Sequence, residues 1–168
     1  MNNNVLLYIG RFIILILVQV FILNHINFLG YLNPFIYIIF ILLAPITIRK
    51  SVFFLLSFIL GLTMDMFGDS GGVHAAACLI IAYTRPVVLR SVFGLSYEFQ
   101  TVKLNTLGIG ERLTYVTLLV FIHHLVLFSL EIFNFSHILL ILKKTLFTSL
   151  FSIVVIMLIL VLFRRKDS

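Results

Sequence analysis

The sequence predicts an all-α protein, a polytopic membrane bundle of about six spanning helices with both termini cytoplasmic. Three observations carry that expectation. Of 168 residues, 62% are hydrophobic and 11% charged, and the mean hydropathy is +1.21; soluble domains run about 45–50% apolar and about 25% charged. Charge-free windows cover 12–48, 51–64, 113–130 and 145–163. The basic residues between them are distributed unevenly, as membrane-flanking anchors are. A chain with 12 Lys+Arg and 6 Asp+Glu cannot coat a water-soluble globule of this size, which excludes a soluble enzyme. Its apolar content excludes an intrinsically disordered chain. The net charge of +6 does not point to nucleic acid, because that needs Lys and Arg clustered on one solvated face.

The spans follow in order. A spanning helix needs about 20 mostly apolar residues, which places spans at roughly 5–23, 34–48, 51–67, 72–90, 112–134 and 143–163 in one membrane domain covering 1–168. The first follows Met1-Asn2-Asn3-Asn4 and ends at Asn24-His25-Ile26-Asn27 without a small-residue cleavage site, so it reads as a retained signal anchor. Asn33 then Pro34 reads as the start of the second helix, with Asn capping and Pro in the first turn. That helix is short, and Pro45 should kink or end it. Arg49-Lys50 joins it to the third span as a tight hairpin. In the fourth, Arg85, Pro86 and Arg90 leave two readings: one helix, or a break near Tyr83 followed by an interfacial helix. The stretch 93–110 is the one sizeable polar loop.

With six spans and the N-terminus inside, the cytoplasmic side holds Arg11, Arg49, Lys50, Arg85, Arg90, Lys103, Arg112, Arg164, Arg165 and Lys166, and the other side Lys143 and Lys144. That asymmetry fixes the expected orientation. Arg85, Arg90, Arg164 and Arg165 are read as anchors snorkelling to the cytoplasmic surface; the competing reading for Arg85 and Arg90 is an anionic headgroup or an acidic partner loop.

Chemistry-bearing residues are few. Ser57, Gly61, Asp65 and Asp69 recur every four residues and share one helical stripe, followed by Gly72 and His74. Small residues on such a stripe let helices approach closely, so the preferred reading is a packing stripe ending in a capping turn. Binding, proton relay and metal ligation by Asp65, Asp69 and His74 are weaker alternatives. His123 and His124 fall near the middle of the fifth span, with Glu131 seven residues beyond His124. The expected state of both is a neutral, hydrogen-bonded core histidine, with relay or ligand contact second. Cys78 is the only cysteine, so it forms no internal disulfide and reads as a small packing residue. Asn134-Phe135-Ser136 matches a glycosylation pattern that is common by chance, and Gly108-Ile109-Gly110 is too short for a phosphate loop. No H-E-x-x-H, Walker A, G-x-S-x-G or cysteine pair occurs. The expectation is a protein without enzymatic activity or cofactor.

The residues Arg11-Phe12-Ile13-Ile14-Leu15, Asn33-Pro34-Phe35-Ile36-Tyr37, Gly61-Leu62-Thr63-Met64-Asp65-Met66-Phe67 and Gly72-Val73-His74-Ala75-Ala76-Ala77 together resemble the bacterial rod shape-determining protein MreD family. The resemblance runs over nearly the whole chain, and Gly61, Asp65, Gly72 and His74 are its most specific part. It implies a non-enzymatic multi-pass protein of the bacterial inner membrane, surrounded by membrane lipid and serving cell elongation. Implied partners are an MreC-like single-span protein and, through it, the MreB filament and the lateral peptidoglycan synthases. The family's fold is similar to the substrate-binding subunits of vitamin transporters, which supplies the alternative of a small-molecule-binding membrane subunit. No role for His123 or His124 follows from the resemblance.

Overall fold

A computed structural model describes residues 3–28, 32–94 and 108–162. It is all-helical: α1 (Asn3–Phe21), α2 (Ile39–Leu42), α3 (Lys50–Gly68), α4 (Val73–Phe93), α5 (Ile109–Ile132) and α6 (Ile138–Leu162). There are no strands among the described residues, only an isolated bridge between Phe28 and Leu32. Five stretches are long and apolar enough to cross a membrane: Leu6–His25, Lys50–Gly68, Val73–Phe93, Ile109–Ile132 and Ile138–Leu162. Their outward faces carry large apolar side chains such as Leu7, Met66, Val87, Leu139 and Leu158, as lipid-facing surfaces do.

The second expected span is corrected. Residues 34–48 do not form a spanning helix; only the four residues of α2 are α-helical, flanked by turns. Ten residues separate Pro34 from Pro45, too few to cross about 30 Å of hydrocarbon as a helix. The segment instead runs through the inside of the bundle, with Ile36 to Leu42 all buried. Irregular backbone is tolerated at membrane depth only where protein surrounds it.

Contacts along this segment give the direction of every other element. Its start meets Gln19 of α1 and Ser152 of α6. Its end meets Tyr115 of α5 and Arg85 of α4. The Phe12 ring lies edge-on to Phe40, so α1 runs opposite to the segment. Along α5, Tyr115 sits beside Leu42 and His123 beside Tyr37, so α5 also runs opposite to it. The short turn after α5 sends α6 back, and the starts of α1 and α3 and the end of α6 share one end of the bundle.

Local chemistry sets the helix ends. α3 stops where Asp69 turns left-handed (φ 49°), and Gly72 at φ 96° starts α4. That value is open to glycine and strained for other residues. α4 is continuous through Pro86 to Gly94, so the break near Tyr83 does not occur. α5 ends at Phe133 in the left-handed region.

Candidate functional site in the bundle interior

The polar residues inside the bundle meet in three places, the third around Arg85. The first is the α3–α4 junction. Gly61 lies where a Cβ would come within 2.5 Å of the Ala75 Cα and the His74 carbonyl oxygen, so any side chain there meets the backbone of α4. One turn on, buried Asp65 accepts hydrogen bonds from the Ser70 hydroxyl (2.6 Å), the His74 backbone N–H (3.0 Å) and the Ala75 backbone N–H (2.9 Å). The first N–H groups of a helix lack intrahelical partners, and negative charge is favoured there. Asp65 therefore caps α4 from the neighbouring helix. Ser57 turns its hydroxyl back to the Phe53 carbonyl (2.8 Å) and leaves the interface to packing. Asp69 is exposed and does not join the stripe, because its left-handed backbone ends the helix one residue earlier. Asp65 is occupied by three donors, and no group of three potential metal ligands is found among the described residues.

The second place lies deeper. The Tyr37 hydroxyl bridges His74 Nδ1 (2.7 Å) and His123 Nε2 (2.9 Å). His124 Nδ1 lies 2.7 Å from the Val120 carbonyl, and its Nε2 lies 3.3 Å from the Ser152 hydroxyl. A carbonyl only accepts, so His124 donates from Nδ1 and accepts at Nε2. Ser152 in turn accepts the Phe35 backbone N–H (3.0 Å). The Phe35 ring lies against both His74 and His124. Gln19 completes the set: its Oε1 accepts from Ile36 N–H (2.7 Å), and its Nε2 donates to the Pro34 carbonyl (3.0 Å).

Glu131 does not share an environment with His124. It pairs with Lys144 at the bundle rim (2.8 Å), both side chains being more than a third exposed. Arg85 is corrected as well. It is buried rather than snorkelling, and donates to the Tyr115 hydroxyl (2.9 Å) and to the Leu42 and Ala44 carbonyls, with its guanidinium over the Phe53 ring. The carbonyls at the end of α2 have no helix to continue into, and a guanidinium with five donors satisfies several at once. Arg90 is exposed in the last turn of α4. Arg164 and Arg165 lie outside the described residues.

Sequence reading missed Gln19, Tyr37, Tyr115 and the α6 face of Thr145, Thr148, Ser149 and Ser152, all buried. The α6 face was signalled by spacing, since these four are the only hydroxyl or amide side chains from 145 to 162 and recur at helical intervals. Gln19 was signalled as the one amide inside an apolar span. Tyr37 had no signal beyond its place between two prolines.

No protein-family model, curated protein or solved structure matches the chain.

Proposed function

We propose that the protein is a non-enzymatic scaffold of the bacterial inner membrane that supports lateral peptidoglycan synthesis and rod shape. In this reading both termini are cytoplasmic, as the basic residues favour, and the α3–α4 turn faces outward. An MreC-like single-span protein is the direct partner and links it to the MreB filament and the synthases. One observation carries the reading over catalysis or transport: the polar groups around Tyr37 and Asp65 bond to one another and to the backbone. Tyr37, His74, His123, His124 and Asp65 all have partners inside the protein.

The second reading, a small-molecule-binding membrane subunit, is favoured by one feature. A cavity of about 180 Å³ lies between Asn33, Phe35, Phe128, Glu131, Lys144 and Thr148, smaller than ligand-sized sites, which run about 300–1,000 Å³. Two measurements separate them. The scaffold should restore rod shape to a cell lacking its own shape protein and should co-purify with a single-span partner from native membranes. Thermal stabilisation of the purified protein by one vitamin-sized compound, without partner capture or shape rescue, would favour the transporter subunit. Cysteine labelling should place Ser168 inside and Asn27 outside; both on one face would overturn this orientation.

A further inference from the structure

Tyr37 joins two imidazoles with one hydroxyl hydrogen. A phenol gives one hydrogen and accepts at its lone pairs, so for both contacts to be hydrogen bonds one imidazole must donate and the other accept. His123 Nδ1 decides between them, because it is buried with no partner among the described residues. If His123 accepted at Nε2, its hydrogen would sit on Nδ1 as an orphan donor in the core, and orphaned buried N–H groups are rare. The order that keeps every buried hydrogen paired has His123 Nε2–H donating to the Tyr37 oxygen and Tyr37 O–H donating to His74 Nδ1. The hydrogen of His74 is then on Nε2.

We propose that His74, Tyr37 and His123 form a proton-operated latch, opened by one proton taken up at His74, that loosens the buried segment around Tyr37. His74 is the half-buried member, in the first turn of α4, while Tyr37 and His123 are fully buried. A proton on His74 turns Nδ1 from acceptor into donor. The Tyr37 oxygen must then accept from it, and the Tyr37 hydrogen needs His123 Nε2, which already carries one. Either the phenol hydrogen loses its acceptor or His123 moves its hydrogen to the unpartnered Nδ1. The proton comes from water and returns to it, with only N–H and O–H bonds made and broken.

His74 is the member that charges because it is the least buried of the three. From α3, the Asp65 carboxylate binds the His74 backbone N–H. From α5, His123 and His124 oppose a second positive charge. Tyr37 faces it from the buried segment, and Cys78 lies one turn along α4. The segment's other pins, Gln19 and Arg85, keep their charge state throughout. The latch does not depend on the scaffold reading, since it is a property of the isolated protein.

The test follows thermal unfolding of the purified full-length protein in nanodiscs at about pH 7.5 and about pH 5.5. It compares the wild type with His74→Asn, whose Oδ1 replaces the acceptor at Nδ1 and cannot be protonated. The wild-type melting temperature should fall with acid by on the order of 5 °C more than that of the variant. His123→Gln, which keeps a donor toward Tyr37, should retain the extra fall. Equal falls in wild type and His74→Asn overturn the latch. If that variant does not fold, nitrogen NMR of the wild-type imidazoles decides. His74 and His123 should be Nε2–H tautomers at about pH 7.5, and His74 should be doubly protonated at about pH 5.5. An Nδ1–H tautomer of His123 at the higher pH, or a neutral His74 at the lower, overturns it.

Discussion

The α3–α4 contact at Gly61 and Asp65 and the segment 34–48, buried over residues 36–42, are held in opposite ways. At the junction two long helices meet over glycine, and the one charged group that helps, Asp65, lies within ten residues of the N–H groups it caps. The segment bonds its own N–H groups over residues 39–44 in tight turns and one short helix, and the backbone groups at its two ends are satisfied by side chains from α1, α4, α5 and α6. The comparison teaches that a membrane interior can be filled by regular helix packing or by irregular backbone, but the second needs a donor or acceptor supplied for nearly every exposed peptide group.

The largest expected effect would break the junction. Gly61→Leu places a side chain against the α4 backbone, which cannot move aside as a flexible side chain could. It should cost about 3 kcal/mol, at the upper end for overpacking, and sharply lower the amount of folded protein recovered from membranes. Normal recovery would show that α3 and α4 do not meet at Gly61. Next, Arg85→Met should strip the Leu42 and Ala44 carbonyls and the Tyr115 hydroxyl of a donor. A cost of about 2–3 kcal/mol is expected, read as faster hydrogen exchange over residues 36–44 with α3 unaffected. Exchange spread evenly over the molecule would mean that the segment is not an independently pinned unit.

Asp65→Asn keeps the shape but turns an NH2 toward a backbone N–H, because both carboxylate oxygens accept. About 1–2 kcal/mol is expected, read as fraying of the first turn of α4. Loss of shape rescue at normal abundance would instead assign a function to the charge. The smallest effect is expected from Glu131→Gln. Its ion pair with Lys144 is solvent-exposed, so a cost of about 0.5 kcal/mol or less should leave the melting temperature nearly unchanged. A large drop would place that pair in a closed site.

The same contrast explains what could be read from the sequence. Class and the five long helices follow from composition and run length, since lipid imposes apolar residues on every outward face. The contact at Gly61 was legible because Ser57, Gly61 and Asp65 repeat at the helical period along one element. Arg85 was misread because its carbonyl partners lie more than forty residues away, and an arginine near a span end looks alike whether it reaches water or backbone. Tyr37 and Gln19 act on groups brought close only by the fold. Periodicity carries no information about such contacts.

The buried segment also has a consequence for biosynthesis. The ribosome delivers residues 34–48 well before their partners exist: Arg85 follows the Leu42 carbonyl by 43 residues, Tyr115 follows it by 73, His123 follows Tyr37 by 86, and Ser152 follows Phe35 by 117. Until then the Phe35 N–H and the Leu42 and Ala44 carbonyls lack those partners, and each would cost several kcal/mol in bare hydrocarbon, although the N–H groups of residues 39–44 bond within the segment and Gln19 is already in place. The stretch must therefore wait in a hydrated place, at the membrane surface or inside the insertion channel, while α3 to α6 are laid down. Its burial is a late event, and translation halted before α6 should leave it open to water-soluble reagents.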